Sequence, residues 1–163
     1  MRHISLTPLF LASLVLVTSS TRSAYQAPPE TIIGLERAAL DRWGKGDPQG
    51  YLDAYAPEIT YFDPAREKRA DGIQAMKDYL APIAGKVKVD RYEMLDTKVQ
   101  RLGDVAVLSY QLISHAVMPN GSPLTVRWNS TKVYGVFDGK WKLFHDHWSF
   151  IQPVLKDPLP GPQ

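Results

Sequence analysis

From Glu30 to Trp43 the apolar residues Ile32, Ile33, Leu35, Ala38, Ala39, Leu40 and Trp43 recur at helical spacing. "GKGD" (44–47) then breaks the run, with Gly44 and Gly46 suited to a helix C-terminus. Asp47 reads as an N-cap and Pro48 as the first helical residue of a short second helix running through Tyr55. "EITYFDP" (58–64) alternates and is rich in β-formers, so it predicts a strand stopped by Pro64. "REKRADG" reads as a charged loop. "GIQAMKDYLAPIAG" (72–85) predicts a third helix, with Ile73, Met76, Tyr79, Leu80 and Ile83 on one face.

After Gly85 the period changes to two. Four strands are predicted, Val87–Arg101, Val105–Met118, Leu124–Phe137 and Lys140–Ile151, joined by "LGD", "PNGSP" and "DG". Three helices, one strand and a four-stranded antiparallel meander make an α+β domain with its helices on one sheet face. In the last strand, alternation puts Trp141, Leu143, His145, His147, Ser149 and Ile151 on one side. Lys142, Phe144, Asp146, Trp148 and Phe150 fall on the other. Both sides carry large apolar groups, and three helices cover only one of them. The second side is therefore expected to meet another subunit.

The termini read differently. "MRH" followed by the apolar run "ISLTPLFLASLVLV" and the small residues "TSSTRSA" has the layout of a signal peptide over residues 1–24. The alternative is an uncleaved anchor. Export to the periplasm or the medium, with no membrane span after processing, is the expectation. Residues 25–29 read as a linker, and 153–163, with its run of prolines, as a disordered tail. Removing the leader takes away Arg2 and Arg22 and no acid, leaving 17 basic against 17 acidic residues. A near-neutral chain lacks the clustered Lys/Arg surplus that nucleic acid requires. The absence of cysteine excludes thiol chemistry and disulfides.

The order of elements and several motifs resemble the nuclear transport factor two-like superfamily, in its SnoaL-like branch, over a domain placed at 30–152. "KGDPQGYLDAYAPEITYFDP" resembles that family's helix–strand unit, "DGIQAMKDYL" its Gly-led third helix and "DGKWKLFHDHWS" its closing hairpin. The closing hairpin is also similar to that of the calcium/calmodulin-dependent kinase II association domain. The resemblance implies a cone: three N-terminal helices closing a curved, mostly antiparallel sheet around a pocket, with the sheet's outer face making a homodimer. This superfamily hosts enzymes, binders and assembly modules on one scaffold, so the fold leaves the activity open.

Candidate chemistry follows from that frame. His145 and His147 could chelate a metal, but His115 lies two strands away, about 10 Å by strand spacing, so no metal site is expected. Asp63 of "YFDP" matches the position where ketosteroid isomerases of the superfamily carry a proton-shuttling aspartate. The tyrosine and the protonated acid that serve as oxyanion donors in that reaction fall at Ala39 or Leu40 and near Ser130 or Thr131, so both are missing. The resemblance also points Asp146 and Trp148 into the pocket, and alternation makes Lys132 the partner of Asp146. Asp63 and Asp146 are the catalytic candidates. Tyr51, Tyr61, Met76, Tyr79, Ser109, Gln111, Trp128, Lys132 and Trp148 are the expected ligand-binding residues, with no cofactor. The leading expectation is an exported binder of a small, largely apolar molecule. The alternatives are an acid–base isomerase, hydratase or cyclase, and a ligand-free assembly module.

Overall fold

The computed structural model describes residues 28–118 and 120–151, so the leader and the tail lie outside the described residues. Helix α1 spans Pro29–Gly44 and buries Ile32, Glu36, Ala39 and Leu40, one stripe at i, i+4, i+7 and i+8. Gly46 ends the turn after it at φ +80°, a conformation an L side chain resists. Helix α2 spans Gln49–Ala54 with Pro48, not Asp47, at its N-cap; Asp47 Oδ1 accepts the Gln49 amide at 2.9 Å in the turn that leads into it. The two helices meet closely at Gly50, where a Cβ would lie 2.7 Å from Arg42 Cβ and 3.1 Å from the Ala39 carbonyl oxygen.

Six strands follow: β1 Tyr55–Phe62, β2 Ala70–Asp71, then β3 Arg91–Leu102, β4 Val105–Val117, β5 Pro123–Phe137 and β6 Lys140–Phe150. Helix α3, Gly72–Leu80, and a 3₁₀ turn at Ala81–Ile83 precede β3. The sheet order is β2-β1-β6-β5-β4-β3, with β1 parallel to β6 and every other pair antiparallel. The predicted meander is therefore present, and "DG" closes its last hairpin with Asp138 and Gly139 both at positive φ. Breaks in register between Tyr55 and Thr60, Leu95 and Lys98, and Val133 and Tyr134 bend the strands into a curved sheet. This is the α+β cone expected from the sequence.

Several boundaries differ. The first strand begins at Tyr55, which the sequence puts in the helix. Part of the charged loop, Ala70–Asp71, pairs with β1 as a short strand. Residues 87–90 precede the third strand instead of opening it, because Val89 N and Asp90 N donate to Gly44 O and His115 O outside the ladder.

One correction concerns the last strand. Val133 faces His145 and Tyr134 faces Leu143, so Phe144 is the extra residue of a bulge. Strict alternation fails there. Trp141 and Leu143 turn inward with Asp146 and Trp148, while His145 and His147 stay on the outer face.

Gly50 and Gly34 offer a paired test of helix packing. A Cβ at Gly34 meets nothing within 4 Å. Gly50→Ala is expected to cost about 1–3 kcal/mol in urea melts by overpacking, and Gly34→Ala to stabilise by about 0.5–1 kcal/mol. Equal effects at both positions would contradict the close approach of α1 and α2.

Candidate functional site

Between the helices and the inner sheet face lies a cavity of about 540 Å³. Trp43, Tyr51, Trp128 and Trp148 supply aromatic wall, and Leu40, Leu112 and Val126 supply aliphatic wall. The polar groups lining it include Asp63, Ser114, Tyr55, Tyr61 and the lysines Lys86 and Lys88. An apolar cleft with a few polar groups is the usual composition of a small-molecule site.

Behind the wall sits a group of buried charges. Glu36, Lys132 and Asp146 each have 0 % exposure. Glu36 Oε1 accepts from Tyr51 at 2.9 Å and Tyr110 at 2.7 Å, and Oε2 from Tyr134 at 2.8 Å. The Lys132 ammonium donates to Asp146 Oδ1 and lies 3.5 Å from Glu36 Oε1. Tyr55 donates to the other Asp146 oxygen at 3.1 Å. Lys132 Nζ also sits 3.9 Å from the Trp148 ring centroid and 5.2 Å from that of Tyr51, a cation–π sandwich. Desolvation is thereby offset by hydrogen bonds and opposite charge.

Burial shifts these groups in a consistent direction. It raises the tyrosines Tyr51, Tyr55, Tyr110 and Tyr134 well above their ordinary value, so they stay protonated donors. Asp146 is pushed up to about 6, chiefly by burial, against the pull of Lys132.

The residues expected from sequence divide into three groups. Tyr51, Tyr61, Trp128, Trp148 and Asp63 line the cavity. Met76, Lys132 and Asp146 are buried behind it, and Tyr79 packs against Tyr61 with the Arg66 guanidinium over its ring. Ser109 and Gln111 are the correction. They pair with Thr131 and Asn129 on the outer face, while Leu108, Tyr110 and Leu112 turn inward. A one-residue slip in placing β4 moves every side chain to the opposite face.

Asp63 ends β1 with both oxygens engaged. Oδ2 accepts the Tyr61 hydroxyl and Oδ1 the Ala65 amide, each at 2.7 Å. The histidines are on the outer face: His145 Nδ1 lies 2.8 Å from Thr60 Oγ1, and His147 packs on Phe62. His115 is two strands away against Glu93 and Thr125. Among the described residues no cluster of three His, Cys, Asp or Glu side chains could hold a metal. No helix of the described residues is long and apolar enough to cross a membrane.

Sequence reasoning missed Glu36 and the tyrosines Tyr55, Tyr110 and Tyr134. The signal was present for Glu36, which stands four residues after Ile32 and four before Leu40, inside the apolar stripe of α1.

Asp146 makes a pH test. Its proton is held more tightly in the folded protein, at about 6, than at its ordinary 3.8. Its contribution to stability is therefore greatest at low pH and is lost as pH rises through about 6. Asp47, Asp53, Asp71 and Glu93 are shifted down and act in the opposite sense, but they are common to wild type and Asp146→Asn. In urea melts, wild type should lose on the order of 2–3 kcal/mol relative to Asp146→Asn between pH 4 and pH 7. Parallel pH profiles would contradict the raised Asp146.

Comparison with known proteins fits this architecture. Residues 30–152 match the calcium/calmodulin dependent protein kinase II association domain. The chain is 28% identical over 121 residues to the calcium/calmodulin-dependent protein kinase type II alpha chain of Drosophila melanogaster, covering 72% of this chain and 23% of that protein. It thus spans about a quarter of the length of that relative. A putative ketosteroid isomerase from Parabacteroides distasonis superposes with TM-score 0.69 and 29% identity, over 82% of this chain and 95% of that one. The CaMKII hub of S. rosetta superposes with TM-score 0.62 and 25% identity, over 76% and 97%. With the family match covering the whole cone, α1 through β6, this chain belongs to the calcium/calmodulin dependent protein kinase II association domain family.

Proposed function

We propose that this chain is an exported, self-associating domain that binds one small, largely apolar molecule in its cone. The observation that carries the binding is the cavity itself: aromatic and aliphatic walls around about 540 Å³, with Glu36, Lys132 and Asp146 sequestered behind them. Export rests on the leader-like layout of residues 1–24. Self-association is supported by relatives named as association and hub domains. It is also supported by an outer sheet face where Phe62, 41 % exposed, packs with His145 and His147.

A second reading is favoured by one specific contact. Asp63 reaches the cavity wall as Asp146 does not, so an acid–base reaction here would run through Asp63. Its two hydrogen bonds, from the Tyr61 hydroxyl and the Ala65 amide, hold the side chain in one place at the wall, which favours binding over catalysis.

The test uses the full chain expressed with its N-terminus intact. N-terminal sequencing of the exported fraction should begin between Ser20 and Tyr25, and sedimentation velocity should show at least a dimer. One 8-anilinonaphthalene-1-sulfonate per chain should bind and quench tryptophan fluorescence. Val126→Trp, which fills the cavity, should abolish that binding without changing circular dichroism or oligomer size. Binding that survives Val126→Trp would place the probe elsewhere. No binding in wild type alongside a stable oligomer would make the chain an assembly module, and a monomer would overturn self-association.

A further inference from the structure

The cavity's mouth has a chemical asymmetry that its walls lack. Across one side runs the segment Lys86-Val87-Lys88-Val89, all four residues of which line the cavity. Val89 N bonds to Gly44 O at 3.0 Å and Gly85 N to Gly46 O at 2.8 Å, so the segment is tied to the end of α1 by its backbone. Val87 and Val89 are half-buried, while Lys86 and Lys88 reach solvent. Among the described residues neither lysine has an ion-pair partner. Asp63, the carboxylate in the same lining, already accepts from Tyr61 and Ala65. The tip of the β4–β5 hairpin, in the same lining, holds Val117, Met118 and Leu124 at 60 %, 41 % and 40 % exposure. An apolar interior opening through an apolar rim beside two unpaired ammonium groups is complementary to one class of molecule.

We propose that the cavity takes a single-chain amphipathic anion, a fatty acid or its chemical equivalent, with its chain against Trp128, Val126 and Trp148 and its anionic head at Lys86 and Lys88. This rests on the small-molecule reading above and narrows it. The apolar chain supplies most of the affinity by leaving water. The head group supplies orientation: buried in the interior it would lose its solvation, and at the mouth it keeps water and gains two cations. Exposed pairs of this kind contribute modestly and are screened by salt, so charge selectivity should be present and moderate.

The experiment titrates the full chain with dodecanoate, dodecanol and dodecyltrimethylammonium, each below its micelle-forming concentration. Binding is read from tryptophan fluorescence, since Trp43, Trp128 and Trp148 line the cavity. Dodecanoate is expected to bind about ten-fold more tightly than dodecanol, and the cationic surfactant more weakly than either. In the double variant Lys86→Gln/Lys88→Gln the preference for dodecanoate should vanish while dodecanol affinity is unchanged. Raising the salt should narrow the gap in wild type alone. Equal affinity for the three probes in wild type, or a preference that survives the double variant, overturns the assignment of the head group and leaves the small-molecule reading standing. Failure of all three probes to bind, or binding that persists in Val126→Trp, overturns the cavity reading itself.

Discussion

A carboxylate with no access to water, Glu36, is the constraint around which the cone is organised. It enters from α1 and accepts hydrogen bonds from the hydroxyls of Tyr51 of α2, Tyr110 of β4 and Tyr134 of β5. Four elements far apart in sequence are thereby joined at one side chain. Each bond contributes modestly on its own, but leaving any partner unmade strands a buried polar group at about 1–3 kcal/mol. Slipping β4 or β5 by one residue would turn Tyr110 or Tyr134 outward and leave the carboxylate short of a donor. The network thus specifies register, which the apolar contacts of the sheet constrain less sharply.

Lys132 and Asp146 extend the same group along β5 and β6, and Trp148 separates it from the cavity. One face of that indole lies over the Lys132 ammonium, and its edge contacts involve Tyr110 and Trp128. The protein keeps its charges and its space apart with one layer of aromatic rings. That separation is why Asp146, buried and raised, belongs to the architecture, whereas Asp63 at the end of β1 belongs to the cavity. It is also why a ligand here would be recognised mainly by its apolar body, with charge selection left to the rim.

Much of this was legible in the chain because periodicity is a local signal. The helical stripe through Leu40, the period-two strands after Gly85 and the "DG" hairpin each followed from neighbouring residues, and the Lys132–Asp146 pair followed from alternation across one hairpin. What alternation could not supply was its own interruption. The bulge at Phe144 changes which residues of β6 face inward, and nothing in "KLFHDHW" marks the extra residue. Ser109 and Gln111 failed for a related reason, since positions carried over from a resemblance are good to a residue or so and one residue reverses the face. Glu36 lay in plain view within an apolar stripe. Its three donors come from segments 15, 74 and 98 residues away, and no spacing rule connects them.

The dependence of the fold on that carboxylate is tested most directly by a double-mutant cycle between Glu36→Gln and Tyr134→Phe. Unfolding free energies are measured in urea for wild type, both single variants and the pair. The account predicts that each single change destabilises and that the two are coupled by about 1–2 kcal/mol, because removing either partner leaves the other buried and less well satisfied. Additive effects, with a coupling within about 0.3–0.5 kcal/mol of zero, would contradict it and show that α1 is held to the sheet by apolar packing alone.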